Sequence, residues 1–107
     1  MKFWSPFEEL LVDIHGNGGF VNAHAHLDRA YTIDKKTMGL TKNHLFEKWK
    51  LVDKIKSTRT VEEYAFGINL ALEMQSWYGS SHVCSFIDID NIVGTKAIDG
   101  ALLARER

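Results

Sequence analysis

The chain has 107 residues, 45% of them hydrophobic and 25% charged, a balance that suits one folded domain and excludes a disordered chain. Thirteen basic and fourteen acidic side chains leave a net charge of −1, which excludes the basic footprint of a nucleic-acid binder and the polybasic patch of a membrane-surface protein. No apolar run reaches the roughly 18 residues a membrane span needs, and the single cysteine, Cys84, rules out an intrachain disulfide and points to a reducing cytoplasm.

Met1-Lys2-Phe3-Trp4 is followed at once by Pro6 and two glutamates, which does not make a signal peptide. Ser5-Pro6-Phe7-Glu8 reads as a helix start: Ser5 caps, Pro6 suits the first helical position and Glu8 completes a capping box. Phe7, Leu10, Leu11 and Ile14 form the apolar face of this helix, and Gly16-Asn17-Gly18-Gly19 stops it. An apolar strand follows, from Phe20 to about His24.

That strand ends in His24-Ala25-His26, then Leu27-Asp28-Arg29. In an extended chain residues i and i+2 share a face, so His24 and His26 project together, with backbones roughly 7 Å apart. Two imidazoles so placed can lean onto one divalent cation of the Zn or Fe type. The competing reading is two partly buried histidines bonded to nearby backbone groups.

Leu27 to Leu40 is expected as a loop, and a helix of about fifteen residues as starting at Thr41. Leu45, Trp49, Val52 and Ile55 or Lys56 recur at helical spacing, widened by Phe46 and Leu51, and read as a core stripe; His44 in the first turn reads as exposed. Thr60-Val61-Glu62-Glu63 opens another helix through a capping box, with Tyr64, Ile68, Ala71, Leu72 and Gln75 on one side and Gly79 as its stop. Ser81 to Ile89 reads as the second strand, with Cys84 as inert core. Asp88 and Asp90 read as turn and cap acids, ahead of a carboxylate metal pair. Gly94 to Arg107 closes the chain as a helix with Ile98, Ala101, Leu102 and Arg105 at helical spacing.

Gly19-Phe20-Val21-Asn22-Ala23-His24-Ala25-His26-Leu27-Asp28-Arg29 resembles the first barrel strand of the amidohydrolase superfamily, in particular its cytosine-deaminase-like branch, where His-x-His-Leu-Asp follows such a strand. The resemblance spans about residues 18 to 107, and only that motif is specific. It implies a metal-dependent hydrolase of C–N bonds in a small cyclic or amide substrate, with His24 and His26 as metal ligands at the end of the first strand of a (β/α)8 barrel. It also implies that the loop after the strand lines a substrate pocket, where Arg29 and Tyr31 could touch substrate and Asp28 could bond a ligand histidine from behind. Ser81 to Asp88 takes the place of a family segment resembling His-Val-Arg-Thr-His-Val-Asp, with Cys84 at the arginine and Phe86 at the second histidine, so two polar groups of that pocket are replaced.

A (β/α)8 barrel takes about 250 residues. The expectation for residues 1–107 is therefore a single α/β domain, a partial barrel of about two parallel strands and four helices, cut from a longer reading frame and inactive alone. The general acid/base and the remaining ligands would lie on later strands. The alternative is a non-enzymatic, self-associating α/β module with a vestigial His-x-His. Either reading expects a homo-oligomer, because two strands without neighbours expose both sheet edges.

Overall fold

The computed structural model describes residues 5–32 and 45–106. The expected helix start at Thr41, the exposure of His44 and the loop from 33 to 40 lie outside the described residues. Among these, α1 (Pro6–Gly16), β1 (Phe20–Ala25), a 3-10 turn (Leu27–Arg29), α2 (Leu45–Thr58), α3 (Val61–Trp77), β2 (Ser80–Ser85) and α4 (Lys96–Glu106) follow one another. The class is α/β, with four helices and one pair of parallel strands among the described residues.

Local chemistry sets the ends of these elements. The Glu8 amide donates to Ser5 Oγ at 3.4 Å and Pro6 stands at the start of α1. At α3 the Glu63 amide donates to Thr60 Oγ1 at 3.2 Å and the Thr60 amide donates back to Glu63 Oε2 at 2.8 Å. Gly19 joins α1 to β1 with φ +88°, and a Cβ there would lie 2.9 Å from the Gly79 carbonyl oxygen, so backbone angle and space both demand glycine.

The strands pair in parallel, Phe20 with Ser80, Val21 with His82, Asn22 with Val83 and Ala25 with Ser85. β2 ends at Ser85, four residues short of the expected Ile89. The Phe86 amide still donates to the Ala25 carbonyl at 2.8 Å, but the Asp88 amide turns to a side chain, Oδ2 of Asp28, at 2.9 Å. A side-chain acceptor takes over from the ladder and the strand stops.

One sheet face is covered. Ala65, Ile68 and Ala71 of α3, Ala104 of α4 and Leu27 form a core against which Ala25 and Val83 pack; Tyr64, Val93 and Ala97 form a second cluster, joined to the first through Ile87. α3 buries Tyr64, Ile68 and Ala71 as its periodicity requires. α4 buries Ala97, Gly100 and Ala104, while Leu102 is exposed, a correction to the expected face. α4 approaches α3 so closely that a Cβ on Gly100 would sit 2.5 Å from Tyr64 Cβ, and only small side chains fit between them.

The α2 stripe is also corrected. Phe46 and Trp49 are 64% and 54% exposed, and their rings meet edge to face with centroids 5.5 Å apart. Helical spacing identifies the apolar side of α2, but both rings stay largely exposed instead of entering a core. No residue of α1 is buried either. Cys84 is exposed, not core, because alternation along β2 turns Val83 toward the helices and Cys84 away from them. Among the described residues no helix is long and apolar enough to cross a membrane.

Candidate functional site

The uncovered sheet face carries the histidines. His24 and His26 are both exposed, on the same side of β1 at its C-terminal end, and their Nε2 atoms lie 3.2 Å apart. The His24 amide donates to its own strand, to Asn22 Oδ1 at 3.1 Å, where the pairing with β2 is irregular. The Phe86 ring backs both imidazoles, with centroids 4.8 Å from His24 and 5.5 Å from His26, near-parallel to the latter. Phe86 is thus an apolar wall behind the pair.

The spacing has a chemical meaning. A tetrahedral cation holds imidazole nitrogens at about 2.0–2.1 Å, which sets two of them about 3.3 Å apart. The observed 3.2 Å separation matches that spacing. It also suits a direct hydrogen bond, one ring donating Nε2–H to the bare nitrogen of the other. Among the described residues no third His, Cys, Asp or Glu joins them. The pair therefore fits half of a four-coordinate site.

The residues after His26 are bound to those after β2. The Leu27 amide donates to Ser85 Oγ at 3.0 Å, Asp28 Oδ2 accepts the Asp88 amide, and Arg29 Nη2 donates to Asp88 Oδ2 at 3.0 Å. Asp28 is 4% exposed, and its bond goes to the Asp88 amide rather than to either imidazole. Arg59 donates to the Asp28 carbonyl at 3.2 Å and lies over the Tyr64 ring, 4.8 Å from its centroid. Tyr31 is exposed and holds a positive φ of 58°.

Asp88 and Asp90 converge on an ammonium. Lys56 Nζ lies 2.9 Å from a carboxylate oxygen of each, where a metal pair would need its cation. Asp90 Oδ1 also accepts the Ile92 and Val93 amides at 2.9 and 2.8 Å, the turn-capping role expected of it. The Lys56 bond, followed by that from Arg29, holds the Asp88 carboxyl below its ordinary range against the opposing pull of burial. The Val93 amide and then Lys56 lower Asp90 in the same way. Burial pulls Lys56 down, but its two carboxylate partners outweigh this and its ammonium titrates above the ordinary range. Burial raises the Tyr64 phenol.

Helical spacing alone offers Lys56 only as an alternative to Ile55 on an apolar stripe. A cation at an apolar-face position was the signal that it meets an acid there. Ser85 carried no such signal, because its partner is 58 residues away in the chain.

Two known proteins are similar to this chain. An uncharacterized protein of Haemophilus influenzae is 39% identical over 95 residues, covering 88% of this chain and 34% of the relative. The N-isopropylammelide isopropyl amidohydrolase of a Pseudomonas species is 26% identical over 101 residues, covering 89% of this chain and 25% of that enzyme. The chain thus spans about a third and a quarter of the lengths of these relatives. No protein-family model matches it, and no solved structure matches it.

Proposed function

We propose that this chain is a portion of a metal-dependent amidohydrolase and that His24 and His26 supply two ligands of one divalent cation, Zn or Fe. The observation that carries the reading is the pair of Nε2 atoms 3.2 Å apart at the exit of a parallel strand, where α/β enzymes build their sites. The similarity to a named amidohydrolase over 89% of the chain supports it. On this reading β1 and β2 are neighbouring strands of a (β/α)8 barrel, and further strands supply the remaining ligands and the general acid/base. The exposed, unpaired Cys84 suits a cytoplasmic protein.

The reaction class is hydrolysis of a C–N bond in a small molecule: water adds to carbon and an amine or ammonia leaves. When bound, the cation supplies Lewis acidity and a nucleophilic water near neutral pH. The residues of this chain hold and orient. His24 and His26 present bare Nε2 atoms, which requires the ring proton on Nδ1. Phe86 limits the tilt of both rings and keeps water from one side of them. The bridges from Leu27, Asp28 and Arg29 to Ser85 and Asp88 fix where the strand ends and therefore where the imidazoles point.

A Zn titration followed through the ring resonances of both histidines tests this. The His24 and His26 signals should shift along one shared curve, weaker than micromolar because two of four positions are filled, and His24→Ala should abolish the His26 response. Independent curves for the two rings would refute a shared cation. The isolated chain should release no ammonia or amine from ring amides above a His24→Ala/His26→Ala control, since its acid/base lies elsewhere; hydrolysis that depends on the pair would show that these residues complete a site unaided.

A further inference from the structure

β1 changes phase just before its histidines. Between the Asn22–Val83 and Ala25–Ser85 pairs, β1 carries two residues, Ala23 and His24, where β2 carries one, Cys84. One extra residue on one strand is a β-bulge. Exposure follows it. β2 alternates through this region, with Val83 and Ser85 half-buried and Cys84 exposed. On β1, Asn22 and Ala25 are both half-buried, and the two residues between them are both exposed. Asn22 reaches Gln75 of α3 and Ala25 packs on the core, so both face the helices although they stand three apart. A strand of strict period two would keep His24 and His26 on the side of Asn22, against α3. The bulge turns them to the open face.

A bulge leaves the extra residue to find its hydrogen bond outside the ladder. Here the His24 amide donates to Asn22 Oδ1 at 3.1 Å, and Asn22 Nδ2 donates to Gln75 Oε1 at 3.2 Å. The backbone amide can only donate, so it fixes which end of the Asn22 carboxamide faces it and leaves the amino group for Gln75. One side chain thus closes the bulge locally and ties it to a helix 53 residues along the chain. We infer that Asn22 is the positioning residue of the histidine pair: its carboxamide, tethered by Gln75, holds the bulge that turns His24 and His26 onto the open face with their Nε2 atoms 3.2 Å apart. The value of this to a bound cation rests on the metal reading above; the placing of the rings does not.

The test compares two substitutions. Asn22→Leu keeps the branched shape and loses both bonds. Asn22→Asp keeps an oxygen for the His24 amide, and Gln75 can turn its own amino group to the carboxylate. The first readout needs no metal: the nuclear Overhauser effect between the ring protons of His24 and His26, whose centroids lie 5.2 Å apart. It should be present in the wild type and in Asn22→Asp and absent in Asn22→Leu, with each fold checked by its backbone amide spectrum. The second readout is Zn titration. Asn22→Leu should lose about tenfold or more in affinity, the usual cost of removing a group that orients a ligand, and Asn22→Asp should restore it. Gln75→Met cuts the tether and leaves Asn22 in place; it should weaken the ring contact as well, and it serves if Asn22→Leu fails to fold. An unchanged ring contact in folded Asn22→Leu or Gln75→Met overturns the inference, as does its loss in Asn22→Asp. So does an unchanged Zn affinity in Asn22→Leu when the wild type shows the shared curve. A wild type whose rings answer Zn independently would refute the shared cation and leave the ring contact to decide the role of Asn22, so the two readings fail separately.

Discussion

Gly100 carries more of the packing than its size suggests. It lies where α4 meets α3, and a methyl group there would sit 2.5 Å from Tyr64 Cβ and 3.0 Å from the Val61 carbonyl oxygen. Both neighbours belong to a helix backbone or its first side-chain carbon, so neither can swing aside. Gly100→Ala gains helix propensity but forces the helices apart, and overpacking of this kind costs about 1–3 kcal/mol. The urea midpoint should fall accordingly; an unchanged midpoint would mean that α4 does not sit this close to α3. Gly19→Ala should destabilise for a different reason, a φ of +88° combined with the Gly79 carbonyl 2.9 Å away.

The ties between elements are electrostatic as much as apolar. Lys56 of α2 holds Asp88 and Asp90 beyond β2, while Arg29 of the 3-10 turn holds Asp88 from the other strand. Asp88 and Asp90 titrate below their ordinary 3.8, so their contribution is present above that pH and is lost as pH falls through the lowered folded-state values. Lys56 titrates above 10.5, so its contribution is present below 10.5 and is lost as pH rises through the raised folded-state value. Stability from this cluster should therefore be flat between about pH 5 and 9 and decline at both ends. Melting temperatures recorded from pH 2 to 6 should fall less steeply in Lys56→Met than in the wild type, which would also be the more stable at pH 7. Identical acid limbs would show that α2 is not tied to the strand exits through Lys56.

The apolar surface left in view is large. Phe46 and Trp49 on α2, Phe7 and Leu10 on α1, and Trp77 and Tyr78 at the end of α3 are all exposed, and among the described residues both edges of the two-stranded sheet are unpaired. Exposed apolar side chains in this number favour association, and open edges invite pairing with another chain. We therefore expect the isolated chain to associate with itself, most simply as a two-fold dimer. Light scattering across a size-exclusion peak at micromolar concentration checks this: a monodisperse species near 12.2 kDa would show that the chain tolerates its exposed face alone.

The helix starts at Ser5-Pro6 and Thr60-Val61, the first strand and the shared side of His24 and His26 were all legible in the order of residues. Each depends on bonds or geometry spanning two to four positions, such as the reciprocal Thr60–Glu63 pair. Half of the candidate site was legible for the same reason: a period of two places both imidazoles together wherever the strand lies. Burial and partnership were not legible. Whether Trp49 enters a core depends on what covers α2, and whether Ala97 and Gly100 or Ile98 and Leu102 face inward depends on how near α3 approaches. The end of β2, the orphaned oxygen of Asp28 and the ammonium between Asp88 and Asp90 arise from groups 32 to 60 residues apart in the chain. Local spacing cannot encode such meetings; they exist only once the two strand exits and α2 have been brought together.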